Sequence, residues 1–323
     1  MVELHSRKEE TVTKSIVTLP KGPIKGFKTS LGKCYLMETE KFLDTSSSRA
    51  LQGKVDLIFT SPPFPLVSEK AYGNLQGEEY LEWMVEIFQG LAPLLSETGS
   101  VVIEIGNTWN KGLPTMSTLP LKTLISIAEK CEFEICQQFV WQNSARLPGP
   151  ATWVNIRRIR IKDSHTHVWW FSKTPFPKAD NRRILTPYSP AMEKLISTKK
   201  FNSGTRPSEH KISKTAFATN NEGAIPGSTF VIGNTGVDKN YVSWCKENNI
   251  SAHPARMPQK LAETFIEFLT EPGDLVLDPF GGSNTTAAAA ESMKRRWITI
   301  ERDSEYVKGS IGRFIGAKGL RIE

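Results

Sequence analysis

The 323-residue chain has only four cysteines, Cys34, Cys131, Cys136 and Cys245, and no two of them form a C-x-x-C pair. Neither a zinc centre nor a thioredoxin-like redox motif can be read from such spacing, and buried reduced thiols are expected instead. No apolar run approaches the ~18–20 residues of a membrane span. Residues Met1 to Ser15 are polar and charged, without the apolar core of a signal peptide. A cytoplasmic protein with no membrane partner is therefore expected. The chain also lacks a G-x-G-x-x-G run and a Gly-Lys-Ser/Thr triplet, so a dinucleotide fingerprint and a P-loop are out. With 39% hydrophobic and 23% charged residues it is neither disordered nor fibrous. At this length a folded chain buries ~75% of its unfolded surface.

Excess charge is modest overall, at +7, but it is concentrated. Between Asn143 and Ile250 stand 17 Lys and Arg against 7 Asp and Glu, a net +10, which leaves −3 on the remainder. This basic segment is rich in Pro, Gly, Ser, Thr and Asn and has little periodicity from Asn202 to Asn240. It suits a polyanionic partner, although a solvated, loop-rich insertion has the same composition.

The flanks alternate strands and helices. Expected strands are Lys33–Met37, Val55–Thr60, Ser100–Ile105, Glu134–Trp141, His165–Ser172, Leu275–Asp278 and Trp297–Glu301. Between them, helical spacing marks Glu79–Leu95, Ser117–Lys130, Gln259–Leu269, Thr285–Met293 and Ser304–Phe314. That alternation predicts an α/β fold with a doubly wound, mostly parallel sheet.

Two strand ends carry chemistry. After Asp278 comes Pro279-Phe280-Gly281-Gly282-Ser283-Asn284-Thr285, a glycine turn that opens a helix. Such a turn lets a ligand approach the backbone, and the helix N-terminus offers N–H groups to a carboxylate or phosphate. Twenty-three positions after Asp278, Glu301 ends the next strand, where an acid can accept from both ribose hydroxyls. A nucleoside with a zwitterionic tail, such as S-adenosyl-L-methionine, satisfies both features. The other end is Ser61-Pro62-Pro63-Phe64. Two prolines remove two N–H donors and leave carbonyls as free acceptors, and Phe64 adds a flat ring. Together these suit a planar heterocycle with an exocyclic amine.

At these residues the sequence resembles the amino-methylating DNA methyltransferases, specifically the N4-cytosine group of restriction–modification systems, and within it the PvuII-type methylases. Tyr72-Gly73-Asn74, Trp169-Trp170-Phe171-Ser172-Lys173 and His253-Pro254-Ala255-Arg256 also look like family signatures, and the likeness runs from about Leu31 to Gly316. The motif order, catalytic first and cofactor last, resembles the circularly permuted β class. The resemblance implies a seven-stranded Rossmann-like methyltransferase sheet. Its catalytic half would be residues 1–142, followed by an inserted basic target-recognition region, 143–252, whose first part to about 175 includes a sheet strand. The S-adenosylmethionine-binding half would be 253–323.

By the same resemblance Ser61, Pro62, Pro63, Phe64 and Glu104 are the expected catalytic residues. Glu38, Asp278, Phe280, Gly281, Gly282, Ser283, Asn284, Thr285 and Glu301 are expected at the cofactor, with Glu38 accepting from the adenine amine. Glu104 stands where relatives carry Asp, and is either a partner of Ser61 or a structural carboxylate. DNA contacts are expected from Arg157, Arg158, Arg160 and Lys162, in a ribbon whose apolar residues pack on the fold, and from Arg182 and Arg183, with Lys199, Lys200, Arg206, Lys211 and Lys214 extending the patch. No metal is expected, His165 and His167 being ordinary packing or polar residues. The implied activity is methyl transfer from S-adenosylmethionine to cytosine N4 in duplex DNA by a monomer or weak homodimer, protecting against a possible cognate endonuclease. N6-adenine methylation and a non-catalytic DNA-binding relative are the alternatives. The first has a tetrapeptide that more often starts with Asp or Asn, and the second would not need Ser61 or the glycine turn.

Overall fold

The computed structural model describes residues 18–20, 22–65, 75–201, 203–213, 219–233 and 239–323. The Tyr72-Gly73-Asn74 signature and Lys214 lie outside the described residues. The strands in chain order are β1 (Gly26–Lys28), β2 (Gly32–Leu36), β3 (Val55–Thr60), β4 (Leu95–Gly106), β5 (Glu134–Gln142), β6 (His165–Ser172), β7 (Gly204–Thr205), β8 (Lys211–Ile212), β9 (Thr229–Val231), β10 (Leu275–Asp278), β11 (Arg296–Glu301) and β12 (Arg321–Ile322). The helices are α1 (Thr39–Leu43), α2 (Ser46–Arg49), α3 (Gly77–Leu91), α4 (Leu119–Lys130), α5 (Pro190–Thr198), α6 (Lys239–Glu247), α7 (Gln259–Leu269), α8 (Thr285–Ser292) and α9 (Ser304–Ser310).

One sheet of ten strands runs β12-β1-β2-β11-β10-β3-β4-β6-β5-β9. Its middle seven, β2 to β5, are the seven strands expected from the sequence; three short edge strands are added to them. From β2 to β4 every pairing is parallel, and β6 runs antiparallel between β4 and β5. The chain's first strands extend the C-terminal part of the sheet, because β2 pairs along β11 from Trp297–Gly32 to Glu301–Leu36.

Both faces of the sheet are covered, which is why β3, β10 and the Val101–Ile105 part of β4 read as largely apolar runs. On one face Leu57, Phe59, Val102, Val276 and Trp297 pack with Leu261, Phe265 and Leu269 of α7 and the alanines of α8. On the other, Ile58, Val101, Ile103 and Leu277 pack with Tyr80, Met84 and Phe88 of α3 and Leu124 and Ile127 of α4. Small alanines let α8 lie close to the strands beside it.

The basic region is less separate than its composition suggests. Besides β6 it contributes β9, which pairs parallel with β5 at the outer edge. Helix α6 falls within 143–252 yet packs on the C-terminal elements. Trp244 donates to the Lys308 carbonyl at 2.9 Å, and a Cβ at Gly312 would lie 2.5 Å from the Trp244 ring. The exposed part consists of α5 and the β7–β8 hairpin. No helix among the described residues is long and apolar enough to cross a membrane.

Candidate active site

Adjacent parallel strands β3 and β10 bring their carboxyl ends side by side, the position where open α/β sheets hold ligands. Their turns are tied together directly. Thr60 Oγ1 donates to Asp278 Oδ1 at 2.7 Å, and the Phe280 N–H donates to the same oxygen at 3.0 Å. Burial pushes the Asp278 carboxyl up to about 6, against the pull of these donors and of Thr286. Thr39 at the start of α1 donates to the Pro279 carbonyl, fixing the turn from the other side.

On the catalytic side, Ser61 Oγ donates to Glu104 Oε2 at 2.5 Å. Glu104 reaches it because β4 lies next to β3, with Thr60 opposite Ile103. The Glu104 side chain is buried, and its Oε1 has no hydrogen-bond partner among the described residues. Burial raises its pKa, while the Ser61 hydroxyl, Thr166 and Arg146 act in the opposite direction. While its hydrogen is donated to Glu104, the Ser61 oxygen can still accept through its lone pairs.

Phe64 owes its position to a glycine. A Cβ at Gly106 would stand 2.6 Å from the Phe64 ring, so the ring lies directly over the backbone at the end of β4. Gly106→Ala is therefore expected to displace Phe64 and lower turnover about 10-fold, with cofactor affinity and melting temperature nearly unchanged, since ångström-scale misplacement is costly to rate. Steady-state kinetics beside thermal melts check this; unchanged turnover would remove Phe64's ring position from the chemistry.

The glycine turn has the conformation its sequence requires. Gly282 has φ +50°, and a Cβ there would approach His253 Nε2 to 3.3 Å. A Cβ at Gly281 would lie 2.8 Å from Asn284 Oδ1 and 3.2 Å from Thr299. The N–H groups of both glycines are engaged within the fold. Gly281 donates to the Ile300 carbonyl at 2.8 Å and Gly282 to Glu301 Oε2 at 2.7 Å. Glu301 Oε1 accepts from the Asp303 N–H at 2.7 Å. Glu301 thus holds the turn against β11 and still carries lone pairs toward the strand ends. Burial raises its pKa.

Several expected site residues face elsewhere. Glu38 is exposed and paired with Lys41 at 2.7 Å, because α1 starts beside it and presents that lysine three residues on. This pairing holds its carboxyl below its ordinary range. Asn284 caps α8 with φ +56° and turns its amide inward, donating to Ser310 Oγ at 2.7 Å. Arg182 and Arg183 lie at the opposite edge of the sheet. β6 ends there, with Ser172 opposite Ser100 near the start of β4's buried stretch. Arg182 is bound to Asp180 at 2.7 Å, and Arg183 to Glu271 at 2.7 Å and the Thr270 carbonyl at 3.1 Å.

Arg157, Arg158, Arg160 and Lys162 do stand on the catalytic edge, in the loop from β5 to β6. They do not form a ribbon with an inward apolar face. Residues 152–156 make a single wide helical turn, Arg158 follows with φ +56°, and Ile156 and Ile161 are exposed.

Three side chains with no role expected from the sequence help build the site. Thr60 makes the bond to Asp278. His253 is packed over Gly282 and against Tyr306, at 4.4 Å between rings, and burial lowers its pKa to about 4, so it is neutral at physiological pH. Arg313 Nε donates to the Ser283 carbonyl at 2.6 Å and bolts the turn to the C-terminal helices. The His253-Pro254 dipeptide was the available signal for one of them; Thr60 and Arg313 had none.

The cofactor side is therefore acid-rich: Asp278 and Glu301 both have raised pKa values, and neither has an ion pair among the described residues. This pair of carboxylate acceptors, with Phe280 in the turn between β10 and α8, fits a cationic nucleoside far better than a polyphosphate. No cluster of three metal-ligating side chains occurs among the described residues.

A doubly wound sheet with a Ser-Pro-Pro-Phe turn bonded to a glycine turn that opens a helix defines an amino-methyltransferase architecture, and the chain belongs to the DNA methylase family of N6 and N4 methyltransferases, whose profile matches residues 55–312. Among its relatives, the type II methyltransferase M.PvuII of Proteus hauseri is 42% identical over 291 residues, covering 90% of this chain and 85% of that one. The solved PvuII DNA methyltransferase (cytosine-N4-specific) superposes with a TM-score of 0.71 at 36% identity, covering 89% of this chain and 87% of that one. A complex of M1.HpyAVI with SAM shares the fold at a TM-score of 0.53 and 20% identity.

Proposed function

We propose that this chain transfers a methyl group from S-adenosylmethionine to the exocyclic N4 of cytosine in double-stranded DNA, as the modification enzyme of a restriction–modification pair. The observation that carries the reading is the Ser61–Glu104 hydrogen bond at a proline turn bonded through Thr60 to Asp278. The 42% identity to a type II methyltransferase and the likeness to a cytosine-N4-specific structure support the choice of atom.

The cofactor, when bound, supplies an electrophilic methyl group on a sulfonium. Asp278, Glu301, Phe280 and the Gly281–Gly282 turn would hold it. The amine nitrogen is a poor nucleophile because its lone pair is delocalised into the ring. Ser61 Oγ and the Pro62 carbonyl accept its two N–H bonds and favour a tetrahedral nitrogen with the lone pair exposed. Methylation leaves a cationic nitrogen, which the same acceptors stabilise. Its proton passes to Ser61 Oγ as the Ser61 proton passes to Glu104 Oε2, so the hydroxyl is regenerated and the carboxyl neutralised. The target atom is hidden in a duplex, so the base must leave the stack, with Phe64 beside it.

Incubating diverse DNA with methyl-labelled S-adenosylmethionine and identifying the labelled nucleoside tests the proposal. N4-methylcytosine is expected; N6-methyladenine selects the other chemistry of the family, and an absence of label refutes both. For DNA contact, Arg157→Ala with Arg158→Ala is expected to flatten the slope of log affinity against log salt by about 2. Arg182→Ala with Arg183→Ala, at the other edge, should leave the slope unchanged. Fluorescence anisotropy over a salt series reads both, and equal slopes for the two pairs would overturn this placement.

A further inference from the structure

We propose that Ile161 is a wedge residue, inserted into the base stack beside the target cytosine when that base swings out. The inference rests on the methyltransferase reading and adds to it a residue that opens the duplex. In the loop from β5 to β6 the side chains are reversed from what alternating apolar and basic residues suggest. Arg160 turns back, its Nε donating to the Pro114 carbonyl at 2.8 Å. Lys162 turns back as well, its Nζ donating to the Ser144 carbonyl at 2.8 Å. Ile161, between them, is thrust outward and is 90% exposed, the most exposed large apolar side chain described.

The loop is anchored to the catalytic strand. Asp163, two residues on, accepts from Asn107 Nδ2 at 3.1 Å, and Asn107 directly follows Gly106 at the end of the strand that carries Glu104. Arg146 closes the loop's other side by donating to the His165 carbonyl at 3.0 Å. An isoleucine so placed is stiff at χ1 and held by its neighbours.

Its surroundings favour DNA as the occupant. From Asn143 to Lys162 the loop carries five Arg and Lys and no acid, and apolar side chains bracketed by cations are the means by which proteins unstack a base step. Leu147, 84% exposed in the same loop, widens the apolar tip. A flipped base leaves a gap whose neighbours have lost their stacking, and a branched aliphatic side chain can fill it.

The test uses the full chain and duplexes bearing a cytosine that the wild type methylates, placed either opposite guanine or opposite an abasic site. Ile161→Ala is expected to slow methylation of the paired duplex about 10- to 100-fold. The abasic-opposed duplex, which lacks the pairing the wedge must break, should be methylated at the wild-type rate, and Ile161→Leu should restore the paired rate. Being at an exposed position, the substitutions leave the fold intact. An equal fall on both duplexes, or none on either, overturns the wedge. So does a dimer that Ile161→Ala makes monomeric in sedimentation with both rates falling together, which would make the tip a contact between copies. If the wild type transfers methyl to no DNA at all, the methyltransferase reading itself has failed, and the wedge falls with it.

Discussion

Replacing Ser61 by Ala is expected to lower turnover about 10²–10⁴-fold, the range in which positioned acid–base groups contribute, while S-adenosylmethionine affinity stays within about twofold. The hydroxyl is at once the acceptor for the amine and the link to Glu104, so its loss removes both functions. It makes no described contact with the glycine turn, whose geometry is set by Thr60, Asp278 and Glu301. Glu104→Gln separates the two functions. The amide keeps an acceptor for the Ser61 hydroxyl but cannot take a proton. For Glu104 the ionised form is the active one, so turnover is present above its folded pKa and lost as pH falls through it. Because burial raises that pKa, the acid limb of the wild-type profile should lie above the ordinary carboxylate range. The Gln variant should be slow at every pH and lack that limb. Single-turnover rates across pH, with calorimetric cofactor binding, check both variants. Wild-type turnover in the Ser61 variant would dismiss the hydroxyl, and an unchanged acid limb in Glu104→Gln would assign the titration to another group.

The catalytic edge was legible because its boundaries are covalent features of the sequence. β3 stops at Pro62-Pro63 and β10 at Pro279 before two glycines, so the expected and observed spans coincide residue for residue. α7 and β6 also match in full, one from helical spacing and the other from a dense β-branched and aromatic run. The edge strands β1, β9 and β12 escaped because each is at most three residues long; β9 and β12 exist only by pairing with a distant partner, and β1 is the short arm of a hairpin with β2.

Charge was the least transferable signal. Nothing local says that Arg183 faces Glu271, 88 positions away, rather than solvent. For Glu38 the competing partner, Lys41, was three residues off, and only the start of α1 brings it round. The loop at 153–162 failed differently. A period of two shows that its apolar and basic side chains point opposite ways, yet not which set faces the protein. The structure turns two of its cations inward and leaves Ile161 outside.

The second large effect is expected at Asp278, where one carboxylate oxygen binds the catalytic turn through Thr60 and the cofactor turn through Phe280. Asp278→Ala strands the buried Thr60 hydroxyl and the partly buried Phe280 N–H, and each such group costs about 1–3 kcal/mol. A loss of about 2–5 kcal/mol in urea unfolding is expected, together with loss of turnover, because the two turns are no longer held in register. Asp278→Asn keeps the accepting oxygen and removes only the titration. In the wild type the folded pKa, about 6, lies above the ordinary aspartate value of about 3.8, so the folded state favours the proton. That contribution is complete below pH 4 and is lost as pH rises through 6, about 3 kcal/mol in all. Glu104 and Glu301 are raised in the same direction, so the wild type minus the Asn variant, taken at each pH, isolates Asp278. The difference should be steepest between pH 4 and 6 and flat above 7. A cationic cofactor reverses the sign, since it favours the ionised carboxylate. Affinity for S-adenosylmethionine should therefore rise with pH through 6 in the wild type and lose that rise in Asp278→Asn. If the Asn variant keeps the full pH dependence of both stability and affinity, Asp278 is not the group that couples them, and the bond to Thr60 is a structural tie alone.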